Sequence, residues 1–377
     1  NTDIAFRGKS KRDLRISYLL FFMVKYPFIV TLIKGVSILA LSLRLPVKWI
    51  LKPTLFKQFA GGESILESQV VIKSLIERDV RSVLDYSSEG GGSENDIKRA
   101  FQETISAIDY ASRNIEVPFA VFKPSSLVEE SLFTRAAKSL DPLSASDISE
   151  FDKFRERFFS LCSYASQKRV KILIDAEYYS SQNIVDEFVQ QAMLLYNKQE
   201  AIVFHTLQMY RKDRLDYLKY LIEDSKSNNY ILGIKFVRGA YMEQERELAI
   251  ERGYNDPIFE SKELTDISFD SAIKLAFENL NTIEIFCGTH NYMSNTMLCN
   301  LIDSASLPRN FYKIWFSQLY GMSDNISYNL ANAGFNVCKY LPYSPVREIL
   351  PYLVRRAQEN SSVSDQTSRE LSLIIME

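Results

Sequence analysis

A chain of 377 residues, 46% hydrophobic and 12% aromatic, is long enough to bury at least one large core. Its 45 basic and 47 acidic residues nearly cancel, so the positive field that draws a protein onto nucleic acid is missing and no nucleic-acid partner is expected. Two histidines, His205 and His290, exclude a three-imidazole metal centre, and the four cysteines contain no CxxC pair, which fits a reducing compartment with neither a disulfide framework nor a zinc site; no metal is expected.

The N-terminal region differs from the rest. ISYLLFFMVKYPFIVTLIKGVSILALSLRLPVKWIL, residues 16–51, is strongly apolar, but Lys25, Pro27, Lys34 and Arg44 interrupt it. No unbroken run of about 18 to 20 apolar residues remains to span a bilayer. Helices are predicted instead, with two roles open to them: packing on the rest of the chain, or laying an apolar face on a membrane surface. No secretory or transit signal is predicted, because the apolar stretch lies too far in and no small-residue cleavage site follows a short apolar region. The chain begins at Asn1 rather than methionine, which leaves residues upstream open.

From about residue 80 short β-branched or aromatic runs recur at intervals that a helix fills: RSVLD (81–85), PFAVFK (118–123), VKILIDAE (170–177), AIVFH (201–205), LGIKFVRG (232–239), IEIFCGTH (283–290), YKIWFSQ (312–318) and NVCKY (336–340). Between them lie helical patterns such as ENDIKRAFQETISAIDYASR and AIKLAFENL, with apolar residues three and four apart. Near-continuous apolar strands alternating with helices indicate a parallel sheet covered on both faces. Eight such units suit an α/β fold of the (βα)8 TIM-barrel type, whose strands point their C-terminal ends at one pocket. A doubly wound open sheet is the alternative, but no GxGxxG follows any of these runs. The predicted organisation is a helical arm over residues 1–78 and a barrel over 79–377.

The residues just past each run are Asp85 with Glu89, Lys123, Asp175 with Glu177, His205 with Gln208, Lys235 with Arg238 and Tyr241, Thr289-His290-Asn291, Gln318, and Lys339-Tyr340. Taken singly, each is as well explained by a helix cap or a solvated group. Together they describe a site for a large polar ligand. The last run leads into KYLPYSPVREILPYLVRRAQENSS, where a helix is predicted over about 347–358, with Pro351 in its first turn or at a bend. Tyr352, Arg355, Arg356 and Glu359 stand three and four residues apart, which puts the tyrosine, a guanidinium and the carboxylate on one face. A solvated ion pair accounts for that spacing, and so does a two-pronged clamp on a substrate carboxylate, with Tyr340, Tyr343 and Tyr352 as flat walls.

YLPYSPVREILPYLVRRAQENSS resembles the YxPYG…YLxRRxxEN signature of the proline dehydrogenase family. KFVRGAYMEQERE resembles that family's strand-five segment, and DAE, QMY, THN and QLYGM match its other strand-end motifs in order. The likeness runs from NTDIAF to Asn360, with Ser344 where the family often has glycine and FKPSS in place of its usual residues after strand two.

The resemblance implies a distorted (βα)8 barrel that binds FAD noncovalently, oxidises L-proline to 1-pyrroline-5-carboxylate and passes electrons to a membrane quinone. It implies a cytoplasmic protein, or one peripheral at the inner membrane, mitochondrial in a eukaryotic source. By motif, Arg355 and Arg356 would hold the proline carboxylate with Glu359 placing them, while Tyr340, Tyr352, Leu319 and Tyr241 would enclose the ring. Lys123 and Asp175 would form a buried pair below the substrate, and Asp85 and Glu89 would belong to an acidic loop able to close over it. Gln208, Lys235, Arg238, Gly239, Ala240, Thr289, His290 and Asn291 would contact FAD. Two rivals remain on the residues alone: an aldolase-type barrel forming a Schiff base through Lys123 or Lys235, and a noncatalytic membrane-associated protein whose N-terminal helices are the working part.

Overall fold

All eight apolar runs are strands in the computed structural model, which describes residues 1–8, 10–24, 52–87, 92–138, 143–346, 348–349, 352–353 and 371–375. They are β1 Val80–Tyr86, β2 Phe119–Phe122, β3 Lys171–Ile174, β4 Val203–Gln208, β5 Leu232–Val237, β6 Ile283–Gly288, β7 Ile314–Leu319 and β8 Val337–Tyr343. The sheet is closed in the order β1 to β8, which gives the barrel and removes the open-sheet alternative. β2 to β6 and β8 have at most one residue outside the buried class, so they read as continuous apolar runs.

Among the helices, in chain order, are α1 Thr2–Phe6, α2 Lys11–Val24, α3 Ile65–Ile76, α4 Glu94–Ala111, α5 Glu130–Lys138, α6 Ala145–Lys168, α7 Tyr179–Tyr196, α8 Arg214–Asn228, α9 Met242–Arg252, α10 Lys262–Glu278, α11 Tyr292–Ser304 and α12 Asp324–Asn332. The chain forms two compact units, Gly90–Ser317 and Asn1–Glu89 with Gln318–Glu377.

In Gly90–Ser317, Phe119 meets Phe204, Phe286 and Trp315 edge-on at 4.9–5.6 Å. Phe122 of β2, Phe158 of α6 and Phe188 of α7 pack at 5.3–5.4 Å on the helix side. Each buried phenylalanine removes apolar surface worth about 1.5–3 kcal/mol from water. α4 and α6 start on capping boxes, Ser93 with Asp96 and Ser144 with Asp147, in which side chain and backbone satisfy each other's otherwise unpaired donors.

In the other unit β1 and β8 pair in parallel from Val80↔Val337 to Tyr86↔Tyr343. Phe6 of α1, Phe21 of α2, Phe56 and Phe59 share a core with Met322, Val346, Ile349, Tyr352 and Leu353. The chain just before α3 runs beside the end of β8: Gly61 N donates to Pro342 O at 2.8 Å and Ser344 N donates to Gly62 O at 3.2 Å. Gln58 Nε2 donates to Gly321 O at 2.8 Å, and Gly321 has φ +77, with a Cβ there only 1.9 Å from Gln58 O. Only glycine fits this turn, which accounts physically for the G of QLYGM. Residues 25–51 of the apolar N-terminal stretch lie outside the described residues, and among the described residues no helix is long and apolar enough to cross a membrane.

Candidate active site

Within Gly90–Ser317 the polar groups sit at the C-terminal ends of β2 to β6. Asp175 follows β3 and takes its place through a backbone bond from its N–H to Phe122 O, 3.1 Å. Its Oδ1 accepts from Lys235 Nζ of β5 at 2.6 Å, and its Oδ2 lies 3.8 Å from Lys123 Nζ just past β2. All three side chains are largely shielded from water, and the buried Glu177 carboxyl, close enough to feel Lys123 and Asp175, belongs to the same cluster.

Glu177, two residues on, accepts from Ser125 N at 2.9 Å and from Ser125 Oγ at 2.6 Å. Burial pushes its carboxyl above the ordinary range, with the Ser125 bonds and Lys123 acting the other way. The Glu177 carbonyl accepts from Gln208 Nε2, at the end of β4, over 3.1 Å. The Ser125 of FKPSS thus holds Glu177, and Glu177 holds Gln208.

Past β5, Arg238 Nε donates to Asp266 Oδ1 of α10 at 2.7 Å, one terminal nitrogen donates to Thr289 Oγ1, and the other donates to Ser294 Oγ at 3.0 Å. The guanidinium also lies 4.4 Å over the Phe269 ring. Burial opposes the charge of Asp266, but Lys262 and Arg238 outweigh it and hold the carboxyl below its usual range. Thr289 Oγ1 accepts from Asn291 N at 3.1 Å, and Asn291 Oδ1 caps α11 through Met293 N and Ser294 N, 2.8 and 3.1 Å. His290 lies half-buried between them. Gly239 has φ +135 with the Tyr210 ring 2.5 Å from where a Cβ would stand, so the turn through Gly239 and Ala240 needs glycine first. Tyr241, at the start of α9, is buried with its ring 4.7 Å from that of Tyr178.

In the other unit, Asp85 near the end of β1 is buried and accepts from Ser87 Oγ at 2.7 Å. Leu319 closes β7, half-buried, and Tyr340 of β8 and Tyr352 are buried. Gln318 Oε1 accepts from Ser327 Oγ of α12 at 2.7 Å. Val346, Glu348, Ile349, Tyr352 and Leu353 are helical, in keeping with a helix after β8. Glu89, Arg355, Arg356 and Glu359 lie outside the described residues.

Two of the strand-end groups face the helices instead. His205 is fully buried behind β4, with Nε2 3.0 Å from Asp186 Oδ1 of α7, whose Oδ2 accepts from Arg214 NH1 at 2.7 Å. Lys339 is fully buried against Asp324 of α12 at 2.9 Å. Alternate residues of a strand point to opposite faces, so Gln208 and Tyr340 and their neighbours His205 and Lys339 cannot all serve one side. Ser125, Asp266 and Ser294 were missed by sequence reasoning. Asp266 and Ser294 lie on helices whose spacing carries no sign of β5, whereas the DAE motif was a visible signal for Glu177. Among the described residues no group of three His, Cys, Asp or Glu side chains is placed to hold a metal ion.

Residues 69–369 match the family model described as proline dehydrogenase. The chain is similar to the carbapenem antibiotics biosynthesis protein CarD of Pectobacterium carotovorum subsp. carotovorum, 35% identical over 316 residues, covering 84% of this chain and 81% of that one. It is similar to the mitochondrial proline dehydrogenase 1 of Caenorhabditis elegans, 35% identical over 245 residues, covering 63% of this chain and 40% of the nematode one. Among solved structures it is similar to proline utilization A (PutA) from Bdellovibrio bacteriovorus inactivated by N-propargylglycine, with a TM-score of 0.72 and 20% identity, covering 82% of this chain and 33% of that one. This last likeness shows the fold alone, and the chain spans less than half the length of the nematode and PutA relatives. With the family model matched from β1 to beyond β8 and CarD similar over four-fifths of both chains, the chain belongs to the proline dehydrogenase family of enzymes.

Proposed function

We propose that the chain oxidises L-proline to 1-pyrroline-5-carboxylate with FAD as the electron acceptor, and that a membrane quinone takes the electrons on. The observation that supports this best is the shared Asp175 carboxylate, 2.6 Å from Lys235 and 3.8 Å from Lys123. Lys123 and Lys235 stand on that shared carboxylate, and Gln208 and Thr289, at strand ends, are buried polar groups. That donor set fits a flavin: FAD, when bound, supplies a ring that accepts a hydride and the negative charge arriving with it.

Gln208, Lys235, Arg238, Gly239, Ala240, Thr289, His290 and Asn291 would hold FAD. The chain's own work is then positioning and charge. Arg355 and Arg356 bind the proline carboxylate, with Glu359 aligning the guanidinium groups. Tyr340, Tyr352, Leu319 and Tyr241 enclose the pyrrolidine ring and exclude water from it. Lys123 and Asp175 form the buried pair beneath the substrate, and Asp85 and Glu89 belong to a loop that closes over it. Fixing a ring in reacting geometry can contribute several kcal/mol, on the order of 7–11 in favourable cases.

The helical arm over residues 1–78 is the part proposed to reach the membrane, with the barrel over 79–377 as the catalytic part. The test is turnover. Purified chain loaded with FAD should convert L-proline to a product trapped by o-aminobenzaldehyde when a soluble quinone is present. NAD should not replace the quinone, and N-propargylglycine should inactivate the enzyme with time. Absence of product from flavin-loaded protein overturns the proposal.

A further inference from the structure

A lysine with no exposed surface is costly unless each of its donors is met. Lys339 of β8 is such a residue, and its Nζ lies 2.9 Å from Asp324 Oδ1, 2.5 Å from Met322 O and 3.4 Å from Leu319 O. All three acceptors belong to one turn, the link from β7 to α12. Stability alone does not account for the pair, since a buried ion pair can often be replaced by apolar groups of similar volume at no net loss.

One residue of the turn, Ser323, is under backbone strain. Gly321 has φ +77 and Ser323, which is not glycine, has φ +50, a left-handed conformation that costs about 1–2 kcal/mol. Lys339 grips this turn at its start, near its middle and at its end. Tyr320 N donates to Tyr340 O at 2.9 Å, so the residue after Leu319 is tied to the residue after Lys339.

We infer that Lys339 is a positioning residue for substrate recognition: by holding the Leu319–Asp324 turn it sets where Leu319 stands relative to Tyr340, and so the size of ring the enzyme accepts. This rests on the reading above that Leu319 and Tyr340 face the pyrrolidine ring. Lys339 itself touches no substrate, because it lies on the helix side of β8.

The test compares L-proline with L-pipecolate, whose ring has one more carbon, on the FAD-loaded full chain. Lys339→Met alone would strand Asp324, so the first variant is Lys339→Met with Asp324→Asn, which removes both charges at similar volume. The second is Lys339→Arg, which keeps a cation opposite Asp324 but replaces a compact ammonium with a planar fork. In both, the ratio of kcat/KM for proline over pipecolate should fall about tenfold, the scale on which one methylene or a small misplacement is felt. Proline KM should rise more than kcat falls. A purely structural role would lower both substrates alike, so a wild-type ratio in either folded variant overturns the inference.

Should the wild-type chain oxidise neither compound, the functional reading has failed and the device is tested without it. Amide hydrogen exchange over 319–323 should then be at least about tenfold faster in the variants than in wild type. Equal exchange rates overturn the assignment of Lys339 as the holder of the turn.

Discussion

Lys235 Nζ donates to Asp175 Oδ1 over 2.6 Å, joining β5 to the end of β3. Lys123 faces the other oxygen at 3.8 Å, so removing the carboxylate leaves two buried ammonium groups side by side. Asp175→Asn should therefore destabilise the fold by about 3–5 kcal/mol, the scale for breaking a buried pair at one partner. Adding Lys123→Met should recover part of that loss by removing one orphaned cation. Urea unfolding of the three proteins measures both effects, and an unchanged midpoint for Asp175→Asn would contradict this electrostatic account.

Behind β4, Asp186 accepts from Arg214 at 2.7 Å and pairs with His205 at 3.0 Å. Burial works against its charge, but His205 and Arg214 outweigh it and hold the carboxyl well below the usual range. A depressed carboxyl stabilises the fold above its unfolded value of about 3.9, and the stabilisation is lost as pH falls through the folded value. Asp186→Asn should thus cost about 3 kcal/mol at neutral pH. The gap to wild type should narrow as pH falls below about 4. A gap independent of pH down to the acid limit would show that the cost is packing rather than charge.

The eight strands were legible because a parallel strand buried on both faces must be apolar almost throughout, and nothing else in a globular chain repeats that run at helix-length intervals. Which way a polar strand residue points was less legible. His205 and Lys339 stand in strands that also carry Gln208 and Tyr340, and only the register of the pleat separates helix-facing from barrel-facing groups. Arg238 had its site role expected from its position after β5, but its partners Asp266 and Ser294 come from α10 and α11, brought near by the fold and not by spacing. The glycine of QLYGM carries no local signal of its cause, which is Gln58, more than 200 residues away in sequence.

Substrate choice gives a third prediction. If Tyr340 walls the pyrrolidine ring, its bulk leaves little room for a ring hydroxyl, and L-proline should be preferred over trans-4-hydroxy-L-proline. Tyr340→Ser should narrow that preference by roughly tenfold, as expected when a pocket gains space and a hydrogen-bonding group. Equal kcat/KM for the two compounds in the wild type would show that Tyr340 does not wall the ring.

The paired arginines give a fourth. A charge-assisted contact contributes about 1.5–3 kcal/mol, so Arg356→Met should lower kcat/KM for proline roughly ten- to a hundredfold with flavin content unchanged. Pyrrolidine, which has the ring without the carboxylate, should lose little. Arg356→Lys should restore only part of the activity, because an ammonium lacks the two-pronged geometry. An equal loss for proline and pyrrolidine rules out the carboxylate clamp.

The central claim is that this chain takes electrons from L-proline onto a bound flavin, and an anaerobic absorption titration tests it most directly. Purified protein should show the visible bands of oxidised flavin, lose them on stoichiometric addition of L-proline, and keep them on addition of NADH. Full spectral retention with excess L-proline in flavin-replete, folded protein would contradict the account.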